Sequence, residues 1–273
     1  MRTSLEIIVA TLILSFSGAG CSSDSAQSRF VLAEKLWGDG SYSAAVSEFD
    51  RIYQNNPNSP LGQSALYRSA LTHLLYLERP TDALEKFAVY ARTNPQSEKA
   101  WEARKWIGEI LFARLERFDQ AIAHYKQMLK DRPQAREGRE FRYRIAKGLF
   151  ALWKFDEAIE EFLSLSAETG KDPWTEKAAF EVANVLVTAG EQRLEGKGAY
   201  RRAIEEFQKY LERYPKGAHS GEALLGLALA YEELEQLDLA VLTLEKAKNL
   251  YPVPQVIEIK LRRIEQRRSK KVR

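Results

Sequence analysis

At 273 residues, with 45% hydrophobic and 29% charged side chains, the chain is long enough to bury a continuous core. A formal net charge of +3, from 41 basic and 38 acidic residues, is too small to demand nucleic acid as a partner. A single cysteine excludes an internal disulfide and leaves no companion thiol for a metal site.

The N-terminus reads as an export signal. Arg2, the apolar run 7–16 and Gly18-Ala19-Gly20 ahead of Cys21 supply a charged start, a short apolar core and a small-residue cleavage site. The run is too short to span a bilayer. The reading divides the chain into a signal peptide at 1–20, a polar tether at 21–27, helical repeats over 28–260 and a basic tail at 261–273.

The repeats announce themselves by six alanines, Ala45, Ala83, Ala121, Ala158, Ala203 and Ala240. Four residues after each stands Phe49, Phe87, Tyr125, Phe162, Phe207 or Leu244, and three before each stands Tyr42, Pro80, Phe118, Phe155, Tyr200 or Leu237. Successive alanines are 38, 38, 37, 45 and 37 residues apart, a period that means stacked helical units. An alanine with a large residue at i+4 puts both on one helical face, the small one where a neighbouring helix crosses closely. Twelve or thirteen residues upstream lie further small residues, Ala33, Ala70, Gly108, Ala146 and Ala228, so each unit contains two helices. Gly38-Asp39-Gly40 marks a joint within a unit, and Pro57, Pro95, Pro133, Pro215 and Pro252 end units because proline cannot continue a helix. Gly170 replaces the proline of the fourth unit. The fifth carries about seven extra residues with Gly190, Gly196 and Gly198, which predicts an irregular loop or an extended helix pair. Apolar residues recur at three and four rather than alternating, so no strand is predicted.

These features resemble the tetratricopeptide repeat family, in which a small residue closes the first helix, alanine and an aromatic mark the second, and proline ends the unit. Tyr42, Ala45, Phe49 and Pro57 fit that pattern, as do Phe118, Ala121, Tyr125 and Pro133, and Tyr200, Ala203, Phe207 and Pro215. The resemblance implies an all-α solenoid of about six helix-turn-helix units wound as a right-handed superhelix, with a concave wall of first helices that binds proteins. By phase, that wall is predicted to carry Phe30, Lys105, Tyr143, Phe180 and Leu225, with Glu34, Glu109, Lys147 and Asn184 one turn further.

The segment ending at Cys21 resembles a bacterial lipoprotein signal, which implies acylation of that cysteine; Ser22-Ser23 after it imply the outer membrane, on its periplasmic face. The first three units, through Gly40-Ser41-Tyr42 and Asn56-Pro57-Asn58, resemble the BamD lipoprotein family of outer-membrane barrel assembly, while the last two equally resemble the CpoB family of Tol-Pal coordination. Acylated pilus or secretion pilotins are a further alternative. Envelope proteins are the implied partners, and the membrane is reached through Cys21 alone.

Nothing in the residues supports chemistry. His73, His124 and His219 fall in different units without carboxylates or second histidines at ligand spacing, so no metal is predicted. Glu160-Glu161 and Glu205-Glu206 are adjacent on helices and do not face each other. No phosphate loop or nucleophile elbow occurs, and no catalytic residue, cofactor or small-molecule substrate is predicted. Trp101, Trp106 and Trp153 are assigned to the core, with Trp37 and Trp174 as surface candidates. The basic tail reads as a solvated helix end whose cations suit the helix dipole.

Overall fold

The structure, a computed structural model, describes residues 19–93, 95–168, 172–192 and 196–271, with side chains from Ser25 to Lys270. Most of the assigned signal peptide, 1–18, and the side chain of Cys21 lie outside the described residues, as does Gly170.

Thirteen helices and no strand occupy the described residues. In chain order they are α1 (Ala19–Gly38), α2 (Tyr42–Asn55), α3 (Pro60–Leu75), α4 (Pro80–Thr93), α5 (Glu98–Glu109), α6 (Phe118–Asp131), α7 (Gly138–Ala151), α8 (Phe155–Ser166), α9 (Pro173–Glu191), α10 (Lys197–Arg213), α11 (Ser220–Glu233), α12 (Leu237–Ala247) and α13 (Pro254–Lys271). In sequence they make six first-and-second pairs and one further helix; α1 packs on α2, α3 on α4, α7 on α8, α9 on α10, α11 on α12, and α13 on α12. The segment assigned as a tether belongs to the N-terminal part of α1.

Local chemistry fixes the ends. Ser59 Oγ accepts the Gly62 N–H at 2.9 Å and Pro60 opens α3, while Asp172 caps α9 by accepting the Trp174 N–H at 2.8 Å ahead of Pro173. The turn inside a pair repeats a left-handed residue five positions before five of the six alanines, Gly40, Glu78, Glu116, Trp153 and Glu235, with φ of 77°, 52°, 51°, 62° and 61°, whereas in the fifth pair it is Gly196, seven before Ala203. Only one of these five is the glycine that such a conformation favours.

The predicted register is the core. All six alanines are fully buried, and Phe49, Phe87, Phe162, Phe207 and Leu244 are likewise at 0% exposure. Close approach explains two glycines of the later repeats: a Cβ on Gly226 would lie 2.3 Å from the Phe207 ring, and one on Gly190 2.9 Å from the Tyr200 ring. The fifth pair is an extended one, with 19 and 17 residues in α9 and α10, rather than a pair broken by a long loop.

The chain separates into two compact units, one up to Ile110 and the other from Leu111, where the sequence alone suggests one repeat domain. The break falls in a π-helical turn, Ile110–Arg114, that follows α5. The basic tail is part of α13, which begins at Pro254 and buries Ile257, Leu261 and Ile264. Its Arg263 and Arg267 both donate to Glu232, a carboxylate only 3% exposed at the end of α11.

Candidate functional site

The first helices α1, α5, α7, α9 and α11 carry the predicted wall residues, and the structure places four of them, Glu34, Tyr143, Lys147 and Phe180, in contacts that bridge one repeat to the next. In the N-terminal unit, Phe30 meets the Phe49 ring edge-on at 5.5 Å. Glu34 accepts a bidentate pair of hydrogen bonds from Arg68 on α3, Nε donating at 2.7 Å and Nη2 to the second oxygen. The same guanidinium lies 4.6 Å from the centroid of Trp37, so one arginine ties a carboxylate and an aromatic of the preceding repeat together. Lys105 and Glu109 on α5 are half-buried, and each engages a neighbouring group.

In the C-terminal unit three predicted residues converge on a side chain that the prediction omitted. Glu181 Oε1 accepts from Tyr143 Oη at 2.9 Å and from Lys147 Nζ at 3.0 Å, and Asn184 Nδ2 reaches Oε2 at 3.5 Å. Burial, reinforced by the neighbouring Glu181 charge, pushes the Tyr143 phenol well above its ordinary pKa, so it remains a donor. The Tyr143 ring also packs 5.6 Å from Phe162 and 5.2 Å from Trp174. Phe180 stacks on His219 at 4.8 Å and 6° and lies 5.7 Å from Tyr210. Leu225 is half-buried on α11. A second carboxylate joint sits beside this stack: Glu176 Oε1 accepts from Tyr210 Oη at 2.9 Å and from the Ala218 N–H at 2.6 Å. Burial and that acceptor raise the Tyr210 phenol as well.

The wall is thus a half-buried ladder of aromatic and charged groups rather than a row of free side chains. Arg68 was readable from the sequence, because it stands fifteen before Ala83, as Phe30 does before Ala45 and Tyr143 before Ala158. Glu181 stands one residue off that phase, and only the length of the tyrosine and lysine reaching from α7 reveals it.

Among the described residues no group of three histidine, cysteine, aspartate or glutamate side chains could hold a metal ion. His73 is buried on α3, His124 is half-buried beside Tyr125 at 6.2 Å, and His219 is the ring stacked on Phe180. No described helix is long and apolar enough to cross a membrane. The tryptophan assignments need correction, and Trp106, assigned to the core, is half-buried. Trp101 is buried, but Trp153 is 60% exposed, because it occupies the left-handed turn position after α7 rather than a helix face. Trp37 and Trp174, taken as surface candidates, are half-buried under Arg68 and Lys177.

Family models of the tetratricopeptide repeat match residues 68–136, 110–173 and 192–253. Among solved structures, PilW, described as a widely conserved type IV pilus biogenesis factor, is 18% identical at a TM-score of 0.53 over 87% of this chain and 98% of its own. The C-terminal part of a repeat protein from Cytophaga hutchinsonii is 19% identical at 0.55, covering 81% and 78%. YrrB, described as having an unusual peptide-binding site, is 15% identical at 0.50, covering 78% and 96%. No curated protein matches the chain. At such identities the structural likeness speaks for the fold alone.

Proposed function

The chain belongs to the tetratricopeptide repeat family, and on that premise we propose that it is a scaffold that holds other proteins against its first helices while Cys21 ties it to a bacterial outer membrane. The observation that carries the reading is the ladder itself. Aromatic rings and paired charges recur at one phase along the first helices of each unit, and such a mixed lining suits a polypeptide ligand better than a small apolar one. Pairing within the ladder holds the side chains in fixed rotamers before a partner arrives, which lowers the entropy lost on binding.

The anchor rests on sequence. A cysteine directly after Gly18-Ala19-Gly20 suits acylation, and each buried methylene contributes about 0.8 kcal/mol, so two or more chains hold the protein stably on a membrane. With Ser22-Ser23 following, the outer membrane's periplasmic face is the favoured site, and a BamD-like part in barrel assembly is the first reading of the partners. The match to PilW over 98% of that chain favours a second reading, an accessory of pilus biogenesis, over a CpoB-like role.

Mass spectrometry of the protein from its native membrane tests the anchor, with an acylated N-terminal Cys21 expected and an unmodified thiol refuting it. Crosslinking in the solubilised envelope tests the rest. Barrel-assembly proteins among the crosslinked partners support the first reading and pilus proteins the second. Combined Lys105→Glu and Lys147→Glu substitutions that leave helix content and partner capture unchanged would refute the assigned wall.

A further inference from the structure

The turns inside the helix pairs differ in one respect that the scaffold reading does not use. Four of the five left-handed positions hold glycine or glutamate, while the fourth repeat places Trp153 there at φ 62° and 60% exposure. A bulky residue in that conformation is an outlier, and outliers of this kind cluster at binding sites. Trp153 forms one wall of an apolar cleft of about 180 Å³ completed by Phe150, Ala151, Phe155 and Thr188. Its ring lies 5.7 Å from Phe155, which lies 5.8 Å from Phe150.

The first repeat has the same arrangement with the space filled. Trp37 and Tyr42 stand where Phe150 and Phe155 stand, four after the small residue of the first helix and three before the alanine of the second. Tyr76 of the next repeat enters between them, stacked on Tyr42 at 4.4 Å and edge-on to Trp37 at 5.2 Å. Tyr76 can do this because α3 ends at Leu75, one residue earlier. In the fifth repeat α9 continues to Glu191; Ala189 holds the place of Tyr76 and is buried, and Thr188 faces the cleft. The ring that closes the joint in one place is missing in the other.

The cleft opens beside the one second helix that has acids and no base. α8 carries Asp156, Glu157, Glu160 and Glu161 and no lysine, arginine or histidine, and none of the four makes an ion pair among the described residues. We propose that the Trp153 cleft is a docking socket for an aromatic side chain of a partner polypeptide flanked by lysine or arginine, the ring replacing the absent plug and the cations meeting the α8 carboxylates. Tryptophan at the mouth and phenylalanines behind form the kind of pocket that anchors an interface, and the charge match steers the basic segment to it. Phe150 and Ala151 end the first helix α7 and Thr188 lies late in the first helix α9, so the socket adjoins the wall, with Lys147 Nζ 5.3 Å from the Phe150 ring, and accepts a short motif.

The test titrates the purified full chain with the peptide acetyl-Lys-Arg-Tyr-Lys-Arg-amide. The readout is the indole N–H resonance of Trp153, assigned by its loss in Trp153→Phe. A saturable shift is expected, weakened at least tenfold when the peptide's tyrosine becomes alanine and when the protein carries Glu157→Lys with Glu160→Lys. Trp153→Glu installs the residue that three sibling turns already tolerate, so it should fold normally, as circular dichroism will report. With that variant the peptide is followed by its own tyrosine resonances and should bind at least tenfold more weakly. No saturation, equal affinity for the alanine peptide, tighter binding of acetyl-Glu-Glu-Tyr-Glu-Glu-amide, or undiminished binding to Trp153→Glu would each overturn the proposal.

Discussion

The two compact units share an apolar frame and differ in how they satisfy the polar groups between their helices. In the C-terminal unit long side chains meet: Tyr143 and Lys147 reach Glu181, Tyr210 reaches Glu176, and Arg263 and Arg267 reach Glu232. In the N-terminal unit Arg68 reaches Glu34 in the same way, but further burden falls on α3, which buries Gln63, Ser69, Thr72 and His73. Ser69 donates to Asp50 at 2.7 Å and Thr72 to the Arg68 carbonyl at 2.7 Å, but Gln63 Oε1 and His73 Nδ1 are buried without a hydrogen-bond partner. The difference teaches that reach decides satisfaction. A phenol or guanidinium spans a repeat joint, whereas an imidazole on a helix enclosed by α1, α2 and α4 stops short, its Nδ1 being 3.6 Å from Asp82 Oδ2.

The largest effects test the shared frame. Phe87→Ala and Phe207→Ala, one in each unit and both at 0% exposure, should each cost about 3–5 kcal/mol, read from urea midpoints. Unequal costs would show that the frames are not equivalent. Replacing Arg263 and Arg267 together by alanine should also cost about 3–5 kcal/mol, because it strands the Glu232 carboxylate without a counter-charge. Asp50→Ala in the N-terminal unit should cost less, about 1–3 kcal/mol, since it leaves Ser69 unsatisfied while Lys86, 2.7 Å away and partly exposed, turns to water. A melting profile unchanged by either charge deletion would remove the distinction between the units.

Much of the fold was legible because the repeat encodes it redundantly. Six alanines with their i+4 partners fix the buried face of every second helix, and the prolines fix the ends. The ladder was half legible: phase selects Tyr143 and Lys147, but their acceptor Glu181 lies off that phase and belongs to the next repeat. Trp153 was hidden for another reason. Its spacing from Ala146 suits a helix face, and only the backbone reversal that begins at Leu152 turns the side chain outward. The break at Ile110 had no sequence signal, because a π turn replaces an α turn without changing composition.

The smallest effect is also the most selective for the N-terminal unit. Burial, then the neighbouring Lys86, holds the His73 pKa below its ordinary value of 6.5, against the pull of Asp82 and Asp50; Arg79 acts in the same direction as Lys86. The folded state therefore favours the neutral ring more strongly than the unfolded chain does, and the unfolded chain binds the extra proton first. Stability from this group is complete above pH 6.5, declines as pH falls below that value, and levels off once the folded protein is itself protonated. Urea midpoints between pH 7 and pH 5 should fall more for the parent chain than for His73→Leu, which fills the site without a titrating group. Parallel profiles would mean that protonation of His73 is met by Asp82 closing the 3.6 Å gap, so that the buried ring in the N-terminal unit is satisfied on demand and the contrast with the C-terminal unit holds only at neutral pH.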